Sequence, residues 1–325
     1  MTYGSFPILF ITATRIGDAV LSSGLIRKLA DEVPDARFTI VCGPAAAPLF
    51  VDLPNLEEVI VLRKQPFAGH WFGLWRHTRK RRWGLVVDLR GSALSRFLRR
   101  KRRAVFRRVP GETVHKVVEA ARLLNVEDDP PAPYLFTSPE TEEAAEALTA
   151  GFGPILALGP SANWVGKTWP IERFAQVAMQ LLGPRGPLAG GRLMVLGGPE
   201  DASVMQTLRH VVGKERIIDL VGKTDLLTAY ACLKRARIFI GNDSGLMHLA
   251  AAAGAPTLGL FGPSDERLYA PWGKATAVVR GPREFEQIRA VDPGFQQELC
   301  HMMDLSAETV AAAAVNLLSE TEAAP

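Results

Sequence analysis

The sequence predicts an α/β protein of two open parallel sheets, each covered by helices. Short β-branched runs alternate with segments of helical periodicity in both halves of the chain, and strands separated by helices usually pair in parallel. The segment 127–139 interrupts this alternation with four prolines. Proline has no amide donor and a fixed φ, so this segment is predicted to be a linker. A length of 325 residues also suits two domains.

The first half is predicted to contain five strands and three helices. The strands are Ile8–Thr12, Phe38–Cys42, Glu58–Leu62, Leu85–Leu89 and Ala104–Phe106. The helices are Asp18–Glu32, Phe72–Arg82 and Thr113–Leu124. In the last helix, apolar residues recur at the spacing of one helical face.

The second half repeats the pattern. Its predicted strands are Ile155–Leu158, Leu193–Leu196, Arg216–Asp219, Ile238–Ile240 and Thr257–Phe261. Its predicted helices are Ile171–Leu182, Glu200–Val212, Thr224–Lys234, Ser244–Ala253 and Asp304–Leu318. We therefore expect domains over residues 1–135 and 136–304, followed by a C-terminal helix within 305–325. Ligands of such sheets bind beyond the carboxyl ends of the strands.

Composition excludes several classes of protein. Apolar residues make up 47% of the chain and charged residues 22%, as in ordinary globular proteins. The longest apolar stretch, Leu246–Phe261, is interrupted by histidine, glycine and proline, and it is shorter than the roughly 18 apolar residues of a membrane span. The three cysteines lie far apart, which argues against a disulfide framework or a cysteine zinc site and favours a reducing cytoplasm.

The positive charge is concentrated in one segment. Between Arg76 and Arg108 there are fourteen lysines or arginines and one acid, so this segment carries +13 although the whole chain carries +4. Such a block attracts anions locally.

Three strand ends carry polar motifs. After the first strand, the segment Thr12–Asp18 places Asp18 near a helix start, as a helix cap or as a general base. The loop 159–170 contains Lys167, which suits phosphate oxygens or is simply a surface lysine. Segment 241–253 begins a helix whose free amides attract anions, and His248 is a ligand-facing or a core residue.

Glu200 follows another strand within Gly197–Glu200. It is positioned either to bond a ribose hydroxyl or to interact favourably with a helix dipole as a first-turn acid.

Together these segments resemble the ADP-heptose:lipopolysaccharide heptosyltransferases. Arg15–Asp18 is similar to the first loop of that family, Lys167–Pro170 to its phosphate-binding segment, and Asn242–His248 to its most distinctive signature. Gly262–Asp265 is similar to the segment that follows the signature. The resemblance covers most of the chain. It implies the GT-B fold, in which two Rossmann-like, doubly wound domains face each other across a cleft, with the C-terminal helix often returning to the first domain.

The resemblance also implies an activity: inverting transfer of heptose from ADP-heptose to the acidic, lipid-linked core of lipopolysaccharide. Asp18 would be the general base. The donor diphosphate would bind Ser161, Asn163, Lys167, Ser244, Gly245 and Leu246, and the donor nucleoside or sugar would bind Glu200, Asp243 and His248. The acceptor would bind Arg15, Arg99, Arg100, Arg102 and Arg103. The sequence contains no dense carboxylate cluster, so we expect no essential metal and no cofactor besides the nucleotide-sugar substrate.

The basic segment admits three interpretations: a solvated surface, a nucleic-acid site, or a patch that meets an acidic glycolipid at a membrane. No nucleic-acid-binding motif is present, and basic residues near anionic lipid contribute about 1 kcal/mol each. We therefore expect a cytoplasmic enzyme, peripheral at the inner membrane, and no nucleic-acid partner. The alternatives are a GT-B transferase for another sugar, a sugar-nucleotide epimerase, and a basic nucleic-acid-binding protein.

Overall fold

The computed structural model describes residues 5–295 and 298–323. The chain forms two compact units: the first ends at Ser138, and the second begins at Pro139. Each unit is built around one parallel sheet.

The first unit has a five-stranded sheet of order β3-β2-β1-β4-β5. The strands are β1 (Phe6–Ile11), β2 (Ala36–Cys42), β3 (Leu56–Val61), β4 (Trp83–Asp88) and β5 (Arg100–Val105). The helices are α1 (Ile16–Leu21), α2 (Ser23–Glu32), α3 (Gly69–Thr78) and α4 (Lys116–Ala121). Every strand predicted for this half is present.

The helix predicted over Asp18–Glu32 differs from the observed structure in two ways. It begins earlier, at Ile16, and it breaks at Ser22 into α1 and α2. The Ser22 hydroxyl donates to the carbonyl of Ala19 at 3.1 Å and lies 2.9 Å from the hydroxyl of Thr12. Through these contacts, the residue at which the helix breaks is held against the residue that follows β1.

The strand predicted over Ala104–Phe106 begins earlier in the structure, at Arg100. Strand β5 therefore contains four of the basic residues of the segment 76–108, namely Arg100, Lys101, Arg102 and Arg103. Because β5 is an edge strand, it pairs only with β4; Lys101, Arg102 and Arg103 are exposed to solvent, and Arg100 is half-buried. Charged side chains on an edge strand also oppose pairing with another chain.

The proline-rich segment packs on the first unit. The amide of Tyr134 donates to the hydroxyl of Ser23 at 2.9 Å, and the amide of Ser138 donates to Asp52 at 2.7 Å. Helix α2 approaches this segment closely at Gly24, where a Cβ would lie 2.2 Å from the carbonyl oxygen of Pro131. The segment is therefore an ordered connection, and any larger residue at position 24 would push it away.

The second unit has a six-stranded sheet of order β11-β10-β9-β6-β7-β8. The strands are β6 (Ile155–Gly159), β7 (Arg192–Val195), β8 (Ile217–Asp219), β9 (Ile238–Asn242), β10 (Thr257–Phe261) and β11 (Thr276–Arg280). The helices are α5 (Pro139–Thr149), α6 (Ile171–Leu182), α7 (Val204–Val212), α8 (Leu226–Leu233), α9 (Gly245–Ala252), α10 (Glu266–Tyr269), α11 (Phe285–Val291) and α12 (Ala307–Ala323).

The sequence analysis missed four of these elements: α5, α10, α11 and β11. Strand β11 is a half-buried edge strand of five residues, so its apolar signal is short. Helix α12 was predicted, and within the second unit it packs against α6 and β11. Its packing on the first domain stays a prediction. Among the described residues, no helix is long and apolar enough to cross a membrane.

In both sheets, successive strands are added first on one side of the unit's N-terminal strand and then on its other side, so the strand order reverses there. In the first unit the reversal lies between β1 and β4, and in the second it lies between β6 and β9. Open α/β sheets bind ligands beyond the carboxyl ends of the strands at such a reversal. The residues that follow β1, β4, β6 and β9 are therefore the candidates for function.

Candidate functional site

A charged pair links the two loops at the reversal in the second unit. Lys167 ends a 3-10 helical turn in the loop after β6, and Asp243 directly follows β9. The Nζ atom of Lys167 lies 2.6 Å from Oδ2 of Asp243. The Asp243 side chain is only 7% exposed, whereas that of Lys167 is 25% exposed. The aspartate therefore holds a partly accessible ammonium group beside the reversal.

Asn242 fixes the backbone around this pair. Its Oδ1 accepts a hydrogen bond from the amide of Trp169 at 3.2 Å, and its Nδ2 donates to the carbonyl of Pro160 at 2.6 Å. Trp169 is fully buried, packs edge-on against Phe174, and donates from Nε1 to the carbonyl of Leu305 at 3.0 Å. Both ends of the Lys167 loop are thus attached to the core, and the buried Trp169 anchors the second of them.

The N-terminus of α9 faces the same edge of the sheet. Ser244 is its N-cap residue, but the side chain makes no capping hydrogen bond. The Ser244 hydroxyl is buried and has no hydrogen-bond partner within residues 5–295 and 298–323. The amides of the first turn, including those of Gly245 and Leu246, carry the positive end of the helix dipole. A buried hydroxyl beside these amides is the arrangement that an anion such as phosphate requires.

His248 lies one turn further along α9, within the core. Its side chain is buried, its Nε2 lies 3.9 Å from Oδ1 of Asp243, and its ring centroid lies 6.5 Å from that of Tyr269. Asp243 therefore has Lys167 on one carboxylate oxygen and His248 near the other. His248 is therefore a core residue that borders the charged pair, and its contact with a ligand stays a prediction.

The remaining predicted donor residues lie at neighbouring positions. Ser161 and Asn163 lie in the loop after β6, half-buried and exposed respectively. Glu200 is exposed in a 3-10 turn after β7, the strand next to β6. The structure brings the loops of these residues to the same edge of the sheet as Lys167 and Ser244.

Ser264 was not among the predicted site residues, although its segment was noted. It follows β10, the strand next to β9, and its buried hydroxyl has no partner among the described residues. The available signal was its position: a small polar residue in the short loop between a buried strand and the N-cap Asp265.

In the first unit, Asp18 lies beyond the carboxyl end of β1. It is half-buried and is the third residue of α1, whose N-cap is Arg15. The interpretation of Asp18 as the residue that opens and caps the helix is therefore wrong, since two helical residues precede it. As a first-turn carboxylate it still interacts favourably with the helix dipole.

The strand beside β1 ends in a buried carboxylate. Asp88 closes β4, and it accepts hydrogen bonds from the amide of Arg90 at 3.0 Å and the hydroxyl of Ser92 at 2.5 Å. Burial raises the pKa of Asp88 above its ordinary value, although these hydrogen bonds act in the opposite direction. Asp88 thus fixes the conformation of the loop that carries Arg90. Neither Asp88 nor Arg90 was among the site residues predicted from the sequence.

Of the five predicted acceptor arginines, Arg15 is the N-cap of α1, and the other four lie on β5 or directly before it. In the register of the sheet, Arg100 pairs with Trp83 at the start of β4, and Val105 pairs with Asp88 at its end. Arg99 and Arg100 therefore lie at the edge of the sheet opposite Asp18, with Arg102 and Arg103 between the two edges. The structure does not gather these four arginines around Asp18, and their role stays a prediction.

Within the described ranges, 5–295 and 298–323, no group of three or more His, Cys, Asp or Glu side chains is placed to hold a metal ion. The metal-free mechanism stays a prediction.

Comparison with known proteins identifies the family. Residues 73–293 match the family model described as glycosyltransferase family 9 (heptosyltransferase). The chain belongs to glycosyltransferase family 9. This family 9 protein is 24% identical to lipopolysaccharide heptosyltransferase 2 of Salmonella typhimurium, over 96% of this chain and 99% of the relative. It is 25% identical to lipooligosaccharide heptosyltransferase 2 of Haemophilus influenzae, over 84% and 88%.

Solved structures establish the fold of this family 9 member. A family 9 glycosyltransferase from Veillonella parvula matches with a TM-score of 0.78 and 22% identity, over 98% of this chain and 99% of that one. ADP-heptose heptosyltransferase II of Escherichia coli matches with a TM-score of 0.75 and 21% identity, over 98% and 100%. The expected GT-B fold is confirmed, and the protein is a glycosyltransferase.

Proposed function

We propose that this family 9 glycosyltransferase transfers a heptose from ADP-heptose to the acidic, lipid-linked core of lipopolysaccharide. The observation that carries the proposal is the convergence of Lys167, Asp243 and the N-terminus of α9, which has no side-chain cap, at the β6/β9 reversal. The names of the relatives support heptose and lipopolysaccharide as the substrates. An Escherichia coli heptosyltransferase solved with ADP shares the fold, with a TM-score of 0.71.

The donor diphosphate would bind Lys167, the α9 amides and the Ser244 hydroxyl. During transfer, negative charge grows on the leaving diphosphate, and fixed positive groups stabilise that charge without reorganising. Asp243 keeps the ammonium of Lys167 in place before the donor arrives. Ser161 and Asn163 would add contacts to the diphosphate, and Glu200, with Asp243 and His248, would contact the nucleoside or sugar.

Asp18 would remove the proton from the attacking acceptor hydroxyl. A carboxylate in the first turn of a helix is a weak base, because the dipole favours its charged form. It still serves when proton transfer is late, since the attacked carbon has then made the hydroxyl acidic. Such general-base assistance contributes roughly 10²–10⁴-fold to the rate.

Direct displacement by the acceptor hydroxyl would invert the anomeric carbon, and lysine and helix amides would take the place of a metal. The basic first unit would receive the acidic acceptor, with Arg15 at the N-cap of α1 as a nearby cation. The enzyme would work in the cytoplasm at the surface of the inner membrane.

The test combines binding and transfer. ADP-heptose and a panel of other sugar nucleotides are each added to the protein, and the unfolding temperature is measured. A donor present at 100 times its Kd adds about 2.7 kcal/mol of stability, so the true donor should stand out. Transfer to the lipopolysaccharide core is then followed by mass spectrometry, and the anomer formed is read by NMR.

The proposal fails if another sugar nucleotide both stabilises the protein and is transferred in preference to ADP-heptose. Release of free sugar without an acceptor would instead indicate an epimerase. Transfer that persists unchanged in excess chelator is the expected result, and strong inhibition would overturn the metal-free mechanism.

A further inference from the structure

An aromatic pocket opens beside the β1/β4 reversal of the first unit. It lies between α3 and the segment that follows β4, and it has a volume of about 690 Å³. Six side chains line most of it: Trp71, Phe72, Trp75, Arg90, Ser92 and Phe97. Four of these six are aromatic, and the two polar ones follow Asp88. Ligand sites are commonly built in this way, from apolar walls with a few placed polar groups.

The aromatic side chains are held in place but not covered. Phe72 is 64% exposed and Phe97 is 69% exposed. Trp75 donates from Nε1 to the carbonyl of Phe97 at 3.3 Å, and the guanidinium of Arg79 lies 4.8 Å from the centroid of the Trp75 ring. Burying apolar surface contributes about 25 cal/mol per Å², so a ligand that covers these rings gains affinity from them.

The polar side of the pocket is positioned by the buried Asp88. This carboxylate holds the amide of Arg90 and the hydroxyl of Ser92, and the guanidinium of Arg90 lies 5.1 Å from the centroid of the Trp71 ring. A guanidinium held over an aromatic face still directs its N–H donors outward in its own plane, where they can pair with a phosphate or a carboxylate. The pocket therefore offers flat apolar surfaces next to an oriented cation.

The pocket lies at the same edge of the sheet as the loop that leads to Asp18, the proposed general base. The amide of Leu89 donates to the carbonyl of Ile11 at 2.9 Å, so the loop that carries Arg90 begins beside the end of β1. The loop that leads to Asp18 starts at the same edge of the same sheet. A ligand in the pocket is thus bound at the same carboxyl-end edge of the sheet as the proposed base.

We propose that this pocket is the acceptor subsite and that it binds a sugar ring with an anionic substituent. The apolar C–H face of the ring stacks on the Trp71, Trp75 and Phe97 side chains, and the guanidinium of Arg90 pairs with the phosphate or carboxylate. The term acceptor rests on the proposed function, whereas the binding of an anionic sugar does not. The subsite differs from the arginines of β5, which attract the acceptor from a distance.

The experiment measures binding of a deacylated core oligosaccharide by titration calorimetry, without donor. Two probes are used: the phosphorylated oligosaccharide and the same material after phosphatase treatment, which keeps its carboxylates. The test variants are Arg90→Gln and Phe97→Ser, both at exposed positions, so that folding is preserved. The matched controls are Arg82→Gln, before the opposite end of β4, and Phe67→Ser, fully exposed and outside the pocket lining.

We expect each test variant to bind the phosphorylated probe about tenfold more weakly, which corresponds to about 1.4 kcal/mol, and each control to change binding less than twofold. The intrinsic tryptophan fluorescence of the wild type should change on binding. Loss of binding after phosphatase treatment assigns the anion as phosphate, and retained binding assigns it as carboxylate.

The inference is overturned if the wild type does not bind either probe, or if the test variants bind as the wild type does. It is also overturned if Phe97→Ser instead loses binding to anionic phospholipid vesicles, since the pocket would then be a bilayer contact. A wild type that binds the oligosaccharide but transfers no heptose to it leaves this inference standing and contradicts the proposed function.

Discussion

The two strand-order reversals of the molecule are built from different chemistry. At the β6/β9 reversal, buried polar side chains fix the loops: Asn242 bonds two backbone groups, and Asp243 pairs with Lys167. At the β1/β4 reversal, one buried carboxylate, Asp88, holds a loop beside exposed aromatic rings. The first arrangement has its charges placed before a ligand arrives, and the second offers an open surface.

This difference separates two kinds of binding. A site that must stabilise the charge growing on a leaving diphosphate requires donors that do not move, because reorganisation would raise the barrier. An acceptor that must be captured and oriented gains most from surface area and from long-range attraction. Substitutions at the two reversals should therefore change different kinetic constants, and the following predictions test that separation.

Replacing Asp18 by Asn should have the largest effect. The change removes a proton acceptor but keeps a polar side chain in the first turn of α1. We expect kcat to fall by about 10²–10⁴-fold, with donor Kd nearly unchanged. Rates are measured with saturating ADP-heptose, and Kd by titration. The unfolding temperature serves as the control, since loss of a first-turn charge costs only about 0.3–1 kcal/mol. A variant with the rate of the wild type would leave Asp18 without a catalytic role.

Replacing Lys167 by Ala should weaken donor binding, because the side chain is a partly accessible cation in the proposed donor site. We expect Kd for ADP to rise about 10–100-fold, whereas Kd for adenosine, which has no phosphate, should stay the same. This corresponds to about 1.4–2.8 kcal/mol. Titration calorimetry with both ligands measures the difference.

The matched control is Lys223→Ala, which removes an exposed lysine that also pairs with an aspartate of the second unit, Asp219. It should leave both dissociation constants unchanged. An equal loss of ADP and adenosine affinity in the Lys167 variant would indicate a folding defect and contradict the predicted phosphate contact.

Replacing Arg99, Arg100, Arg102 and Arg103 together by Gln should act on the acceptor only. We expect a severalfold rise in the KM for the acidic acceptor and a weaker dependence of that KM on salt, with kcat unchanged, as when uniform binding is lost. Screening limits such attraction to a Debye length of about 8 Å at physiological salt. Since a strand of this length spans roughly 17–20 Å, arginines at the far edge contribute less than those near Asp18.

The double variant Arg107→Gln and Arg108→Gln makes this spatial argument testable. Both residues follow the carboxyl end of β5, on the side of Asp88. Per charge removed, it should raise the acceptor KM more than the fourfold variant does. An unchanged acceptor KM together with lost RNA binding in the fourfold variant would show that the basic strand serves nucleic acid.

Most of the fold could be predicted from the sequence, because buried parallel strands are continuous β-branched runs that stand out between helices. All ten predicted strands are present. The errors have local causes. Pro139 marked the predicted end of the linker, yet it is the first residue of α5, a position where proline has no amide bond to lose.

The site could be predicted only as separate segments. Lys167, Asp243 and Ser244 carry local signals, since each follows a strand, but the pairing of Lys167 with Asp243 joins residues 76 positions apart. The aromatic pocket has no local signal, because its tryptophans lie on α3 and its arginine follows β4. The predicted start of that helix at Phe72 also left Trp71 outside the element.

The smallest expected effects concern the capping of two helix N-termini. They should distinguish α8, whose first amides are capped by a side chain, from α9, whose first amides are proposed to bind a ligand. At the start of α8, Asp225 accepts hydrogen bonds from the amides of Leu227 and Thr228, both at 2.9 Å, and from the Thr228 hydroxyl. Partial burial raises the pKa of Asp225, but these hydrogen bonds outweigh it, so the net pKa is lowered. Replacing Asp225 by Ala should therefore lower the free energy of unfolding by about 1 kcal/mol at pH 7.

Because the folded pKa of Asp225 lies below the unfolded value of about 3.9, this contribution is present above that pH and is lost as pH falls through the folded pKa. The stability difference between the wild type and Asp225→Ala should be constant between pH 7 and about pH 5 and shrink below about pH 4. Ser244→Ala at the start of α9 should cost little stability at any pH, since its hydroxyl makes no capping bond, yet it should weaken ADP binding. Equal destabilisation by the two alanine variants would show that Ser244 caps α9 and would remove the distinction between the two helix ends.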